Sequence, residues 1–284
     1  MLLIVGWVIV LVVVFGGFVL SGGHPAALLH PIKLVMIVGA GFGAFLASCS
    51  PGALGAVKSV LPKVLKGATY TKTVYTELLC LLYDLLNKVR RDGLMAVEAE
   101  IDDPENSEFF TKYPTLVAEH HLIDFICDYF RLMLSGSMNV HELESLMDQE
   151  IDTHHEEAEV PLNLLTKMAD SMPAFGIVAA VMGVVITMGS LHLPPEELGP
   201  KIGAALVGAF VGILFGYAII GPIPVALEHK ATDEAKALES VKATLLASLS
   251  GAPPAVAVEH GRKMLFSASR PSFQELDEAV RGTR

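Results

Sequence analysis

Four stretches of the chain are almost wholly apolar, and polar segments separate them. The first stretch, residues 2–20, contains no charged residue. As a helix it would span roughly 28 Å, about one hydrocarbon core. Stretches of similar character cover residues 34–50, 173–191 and 202–220. This pattern predicts four transmembrane helices.

The lengths of the connections predict how these spans are arranged. A short turn that contains Pro25 and Pro31 joins span one to span two, and another that contains Pro194 and Pro195 joins span three to span four. Each of these two pairs of spans should therefore form a helical hairpin. Long polar segments follow spans two and four. We therefore expect an all-α membrane protein with a transmembrane hairpin at 1–50, a cytoplasmic helical domain at 51–172, a second hairpin at 173–222 and a cytoplasmic, helical C-terminal tail at 223–284.

Basic residues set the orientation of the spans. Ten of the 20 Lys and Arg residues lie between spans two and three and eight follow span four, which leaves only Lys33 and Lys201 for the short turns. The positive-inside rule places the large segments in the cytoplasm. Both termini should then be cytoplasmic.

Apolar spacing in the large segments is helical. Leu78, Leu82 and Leu85 form a stripe in a helix expected to end near Gly93. Another helix is expected after Asn139, with Glu142 completing a capping box, and Ser272 with Glu275 has the same pattern before a last short helix. We find no alternating pattern typical of strands.

Composition and charge exclude some functions. A chain with 52% hydrophobic residues and a net charge of -11 is not expected to bind nucleic acid, and its bilayer contact follows from the apolar spans. The three cysteines, Cys49, Cys80 and Cys127, lack the spacing of metal ligands and fit reduced thiols.

Small residues form stripes on the last two spans. Span four carries Ala204, Gly208, Gly212 and Gly216 at intervals of four residues, and span three carries Gly176 and Gly183 on one side. Such faces let another helix backbone approach closely. Spacing alone leaves two interpretations open: a packing interface and nothing more, or the wall of a channel that another polypeptide completes.

An absence in the spans bears on this choice. No Asp, Glu, Lys, Arg or His lies in the middle of any span. Proteins that move ions usually keep an ionisable group at this depth. If this protein conducts ions, the titratable carboxylate must therefore come from a second protein.

Several segments resemble the MotA family of flagellar motor stator proteins. They are ALVGAFVGIL at 205–214 followed by Pro222, PAFGIVAAVMG at 173–183, MDQEIDTH at 147–154 and GRKMLF at 261–266. The resemblance extends over the four-span plan and essentially the whole chain.

The resemblance implies a role in bacterial motility and a place in the bacterial inner membrane. A stator subunit of this family is not an enzyme and needs no cofactor. It surrounds a MotB-type partner that carries a membrane Asp, with five copies around two, and it pushes against the rotor protein FliG. Pro173 and Pro222 match positions at the channel mouth, where a proline can shape the path or transmit motion. Arg90 and Glu98 match charges that face the rotor, and Glu150 lies in a matching acidic helix.

Two alanines bear on the ion that is transported. Family members often carry Thr where this chain has Ala209, and sodium-driven relatives also have Thr where it has Ala180. A desolvated sodium ion needs several oxygen ligands, whereas a proton needs only a carboxylate and a water path. The two alanines therefore favour protons over sodium.

Three other functions compete with this interpretation. A TolQ/ExbB-like energiser of envelope processes would have three spans rather than four, and a passive scaffold would conduct nothing. A metal enzyme is suggested by the histidines, but no Glu-x-x-His pair occurs, and we expect the histidines to face solvent rather than bind metal. These histidines are His120, His121, His141, His154 and His155.

Overall fold

The computed structural model describes residues 2–28, 30–136 and 138–282, so the last two residues of the predicted tail lie outside it. Within these residues the chain is helical and contains no strand. The α-helices are α1 Leu2–Leu20, α2 Pro31–Ser48, α3 Pro51–Leu65, α4 Lys72–Asp92, α5 Glu98–Asp102, α6 Glu108–Thr111, α7 Pro114–Val117, α8 His120–Ser135, α9 Val140–Met188, α10 Pro195–Ile213, α11 Pro222–Leu249, α12 Pro254–Met264 and α13 Phe273–Gly282. Short 3-10 turns cover Pro25–Leu28 and Leu94–Val97, and a π-helical segment covers Leu214–Ile220.

In the part of the chain that the structure describes, four helical stretches are long and apolar enough to cross a membrane, as the sequence predicted. They are Leu2–Leu20, Pro25–Ser48, Val140–Met188 and Pro195–Leu249. The chain divides into two compact units. One contains residues 1–67 and 157–229, and the other contains 68–156 and 230–284. The helices α9 and α11 each contribute residues to both units.

Prolines and a cap define the ends of the second span. The helix α2 ends at Ser48, two residues before the predicted end, because Pro51 forces the preceding residues into an extended backbone. Ser50 then caps α3, since its side chain accepts a hydrogen bond from the backbone nitrogen of Ala53.

The helix that contains the predicted third span begins well before Pro173. Both Pro161 and Pro173 lie inside α9, which begins at Val140 and continues for 49 residues. A proline removes one backbone hydrogen bond from a helix, and the neighbouring turns of this long helix keep theirs. The predicted fourth span is not a single regular α-helix. The α-helix α10 ends at Ile213, and the π-helical segment begins at Leu214.

The first unit has a small core and a wide apolar surface. Ile37, Met172 and Ala179 are buried together, and Phe45 belongs to a second buried group with residues of α3, α9 and α11. By contrast, Val12 in α1 is 64% exposed. An apolar surface of this extent in a membrane-spanning segment fits contact with lipid or with other membrane helices.

The second unit has a conventional hydrophobic core. The helix α4 buries the predicted stripe of Leu78, Leu82 and Leu85 in one core with aromatic residues of α8 such as Phe125 and Phe130. The predicted helix ends are confirmed. Gly93 follows α4 with a φ of 88°, a conformation open to glycine, and both predicted capping boxes form reciprocal backbone hydrogen bonds.

Candidate functional site

The stripes of small residues on spans three and four face each other. A methyl group added at Gly176 would lie 2.8 Å from the carbonyl oxygen of Gly208 and 2.9 Å from Cα of Gly212. A methyl group added at Gly212 would lie 2.5 Å from the carbonyl oxygen of Met172. These backbones are in direct contact, so the stripes pack α9 against α10 within one chain and are not left open for a second protein.

The same contact continues toward the other end of the two spans. A methyl group at Gly183 would lie 2.8 Å from Cα of Ala205 and 3.2 Å from Nζ of Lys33. The Lys33 ammonium donates a hydrogen bond to the carbonyl oxygen of Ala204. Lys33 thereby connects α2 to this end of the contact.

The prolines predicted at the channel mouth lie close to the π-helical segment. Gly216, in this segment, is buried, and a methyl group there would lie 2.8 Å from Cδ of Pro173. The backbone nitrogen of Gly221 donates to the carbonyl of Gly216 at 2.8 Å, and Pro222 begins α11 directly afterwards. Wider turns of this kind are frequent at functional sites of helices.

A side chain of span one reaches the same turn. The indole Nε1 of Trp7 donates to the carbonyl oxygen of Ile219 at 3.1 Å. Because Pro222 and Pro224 have no backbone N–H to donate, hydrogen bonding in this turn is already irregular. The Trp7 contact supplies a donor from outside the helix and connects α1 to the π-helical segment.

The two alanines of the ion-selectivity prediction occupy different surroundings. Ala180 is 8% exposed, and its backbone nitrogen would lie 3.0 Å from a methyl group added at Gly208. Ala209, the next residue of α10, is only partly buried. A larger side chain at Ala180 would therefore enter the contact between spans three and four, whereas Ala209 has more room.

Two of the three predicted rotor-contact residues are exposed. Arg90 lies in the last turn of α4 and Glu98 begins α5, with Gly93 between them. Neither forms an ion pair with another residue in the part of the chain that the structure describes. Both charges are therefore available to a partner.

Glu150 differs from this pair. It is half-buried in α9, and the hydroxyl of Tyr129 donates to its Oε2 at 2.7 Å. Burial, followed by the contact with this carboxylate, raises the pKa of Tyr129 well above its ordinary value. Glu150 thus has a structural role between α8 and α9, which its place in an acidic helix did not reveal.

Sequence reasoning missed one cluster of side chains. The histidines were expected to face solvent, but His154 is only 18% exposed, and its ring stacks on that of His121 beside Glu234. His121, His154 and Glu234 belong to three different helices. The spacing along any one helix therefore could not predict that they meet. Only the paired histidines in the sequence hinted at the cluster.

The fold and the contacts described above define a class. This chain is a multi-pass, all-helical membrane protein whose last two spans pack through glycine. Residues 4–93 match the family described as Motility protein A N-terminal, and residues 119–240 match the MotA/TolQ/ExbB proton channel family.

Relatives with known names cover the whole chain. Motility protein A of Salmonella typhimurium is 48% identical over 284 residues, which cover 100% of this chain and 96% of the relative. Motility protein A of Escherichia coli is 47% identical with the same coverage. The structure of C. jejuni MotAB shares the fold with a TM-score of 0.80 at 21% identity, covering 95% of this chain and 98% of that one. This chain belongs to the MotA/TolQ/ExbB proton channel family, among its motility protein A members.

Proposed function

We propose that this protein is the stator subunit of a flagellar motor, which couples ion flow across the membrane to torque on the rotor. One observation carries the proposal: two proteins named motility protein A are 47% and 48% identical to the chain over its full length. The role is mechanical and not enzymatic.

The ion-binding group in this proposal belongs to a partner. The middle of every predicted span lacks an ionisable residue, and the C. jejuni structure with the same fold is of MotAB. A MotB-type subunit would insert a membrane helix with a carboxylate beside spans three and four. Each ion that crosses then releases about 2.3 kcal/mol per 100 mV of membrane potential.

The proposed ion is the proton. Ala180 and Ala209 offer no side-chain oxygen, and the close contact around Gly208 leaves little space for a hydrated sodium ion beside Ala180. A proton needs only the partner's carboxylate and water. Motility that persists in sodium-free medium and stops with a protonophore would support this choice, whereas motility that depends on sodium would refute it.

The proposed contact with the rotor protein FliG uses Arg90 and Glu98. Both are exposed and unpaired among the described residues, so oppositely charged groups can meet them without breaking existing bonds. Each such pair contributes on the order of 1 kcal/mol or less. Weak pairs suit a contact that must form and break at every step.

The proposal also includes an assembly and an orientation. Five copies would surround two MotB-type subunits in the bacterial inner membrane, with both termini in the cytoplasm. The exposed apolar residues of the spans provide surfaces for neighbouring subunits and lipid. The distribution of Lys and Arg supports this orientation.

Deletion of the gene tests the role directly. We expect cells with assembled flagellar filaments that do not rotate, and recovery of swimming when the gene is restored. Cells that lack filaments would refute the proposal. Normal swimming together with a defect of the outer envelope would instead favour the alternative, a TolQ/ExbB-like energiser, which the shared family over residues 119–240 keeps as the second candidate.

Transport measurements test the requirement for a partner. Liposomes that contain the purified chain alone should not conduct protons, and liposomes with the co-purified MotB-type subunit should. Rapid proton flux through the chain alone would contradict the proposal. Absence of flux with the partner would favour a passive scaffold.

A further inference from the structure

Three side chains that commonly bind metals meet in the second unit. His121 lies in the first turn of α8, His154 in α9 and Glu234 in α11. The Nδ1 atom of His121 is 3.6 Å from Oε1 of Glu234, and the Nε2 atom of His154 is 3.4 Å from the same oxygen. All three potential ligand atoms lie within 4.8 Å of one another.

The two nitrogen–oxygen separations are close to those of a transition-metal site. Zinc binds imidazole nitrogen and carboxylate oxygen at about 2.0–2.1 Å in a tetrahedron, so neighbouring ligand atoms are about 3.3 Å apart. The two nitrogen–oxygen distances exceed this value by only a few tenths of an ångström. Two neutral imidazoles and one carboxylate are also donors that zinc and its neighbours prefer over calcium and magnesium.

The burial of the cluster supports a ligand. Nε2 of His154 is buried and forms no hydrogen bond with any residue that the structure describes. A buried polar atom without a partner is costly, and a bound ion would satisfy it. His121 is 43% exposed, which gives an ion access from solvent and leaves room for water as a fourth ligand.

One rearrangement is required. The rings of His121 and His154 are stacked, with centroids 4.1 Å apart and planes 17° apart, so their nitrogen lone pairs do not point at a common position. The torsion about the Cβ–Cγ bond of histidine is broad. A shared ion therefore requires the His121 ring to rotate about this bond until its nitrogen faces the space beside Glu234.

We propose that His121, His154 and Glu234 form a site for one divalent transition-metal ion of the zinc type in each chain. The ion joins α8, α9 and α11 of the second unit. The ion holds three helices together and does not react with a substrate, so its role is structural. It is independent of the ion that the spans are proposed to conduct.

Metal titration of the full-length chain tests the site. The protein is purified in detergent with an affinity tag that contains no histidine and is treated with a chelator. Co²⁺ then serves as a spectroscopic probe, and Zn²⁺ competes for the same site. We expect one equivalent of Co²⁺ per chain with visible d–d absorption, displacement by Zn²⁺, and a higher thermal midpoint with Zn²⁺ than with chelator.

Adjacent histidines provide matched controls. His121→Gln, His154→Gln and Glu234→Gln should each weaken Zn²⁺ binding more than tenfold, whereas His120→Gln and His155→Gln should leave it unchanged. Glu234→Gln retains the shape of the side chain, and helix content measured by circular dichroism checks the fold of every variant. Failure of the wild-type chain to bind Zn²⁺ at micromolar concentration would overturn the proposal. Equal binding by wild type and His154→Gln would do so as well.

Discussion

The pyrrolidine ring of Pro173 lies directly against Gly216, where an added methyl group would be 2.8 Å from Cδ of the proline. Pro173 cannot donate a hydrogen bond to the carbonyl of Ala169, four residues earlier in α9. The same methyl group would come within 2.6 Å of that carbonyl oxygen. The turn of span three that lacks this hydrogen bond therefore lies against the π-helical segment of span four. Movement of one requires adjustment of the other.

A larger side chain at Gly216 should push Pro173 and the π-helical segment apart. We expect Gly216→Ala to abolish or strongly reduce swimming, because the added methyl group must displace either Pro173 or the Ala169 carbonyl. Gly199→Ala, in α10 with open space around the position, serves as the control and should swim normally. The measurement is swim-ring diameter with immunoblotting of the membrane fraction. Wild-type swimming of Gly216→Ala would contradict a coupled role for this contact.

Packing between the spans gives a second prediction. Gly212→Ala should lower the amount of folded protein in the membrane, because its methyl group would meet the Met172 carbonyl at 2.5 Å and Cα of Gly176 at 2.7 Å. Overpacking of this kind typically costs about 1–3 kcal/mol. Gly203→Ala, in the same helix with nothing within 4 Å, is the matched control. Thermal unfolding in detergent should give a lower midpoint for Gly212→Ala alone.

The apolar stretches predicted the number and approximate limits of the spans because hydrocarbon thickness fixes their length. Helix caps were equally readable, since the Ser272 and Glu275 pattern leads to two defined backbone hydrogen bonds. Pro173 was the exception. A proline can start a helix or lie within one, and the pattern that predicted a helix after Asn139 does not reveal that this helix continues through Pro161 and Pro173.

The candidate site was less accessible from sequence. Periodicity predicted that the glycines of span four share a face, but not that α9 of the same chain occupies it, because spacing does not identify the partner helix. The His121, His154 and Glu234 cluster depends on contacts between three helices distant in sequence. Local patterns contain no information about such tertiary contacts.

The exposed charges lead to a prediction about the rotor contact. Arg90→Ala should reduce swimming moderately and the double variant Arg90→Ala/Glu98→Ala more strongly, because each pair contributes about 1 kcal/mol or less and distant pairs add. Stability should change by less than about 0.5 kcal/mol, since both side chains are exposed. Arg91→Ala is the control, because Arg91 is already paired with Asp92. If the double variant swam as well as wild type, Arg90 and Glu98 would not contribute to the proposed contact with the rotor.

The buried guanidinium of Arg262 leads to a prediction about stability. It is 7% exposed, donates two hydrogen bonds to the Glu259 carboxylate at 2.6 Å each and one to the Pro271 carbonyl at 2.8 Å. Arg262→Ala should lower the free energy of unfolding by about 2 kcal/mol, because it leaves the Pro271 carbonyl without this donor and the Glu259 carboxylate with only the longer contact to Lys263. Arg281→Ala, which breaks the exposed pair with Asp277, should cost at most about 0.5 kcal/mol. Denaturant unfolding of the purified chain distinguishes the two, and similar losses would contradict the burial argument.

The pair of Lys72 and Glu275 leads to a prediction about pH. Hydrogen bonds from Lys72, and then from Ser272, hold the pKa of Glu275 at about 2, below its ordinary value of 4.5. A carboxyl whose pKa is lowered on folding stabilises the folded chain fully above its ordinary pKa, and this contribution disappears as the pH falls toward the folded value. Glu275→Gln should therefore have a slightly lower thermal midpoint than wild type near neutral pH, and the difference should vanish between pH 4.5 and about 2. The effect is small because the pair is exposed to solvent. Glu278→Gln in the same helix controls for the loss of one charge, and a midpoint difference for Glu275→Gln that grew on acidification would contradict the assignment.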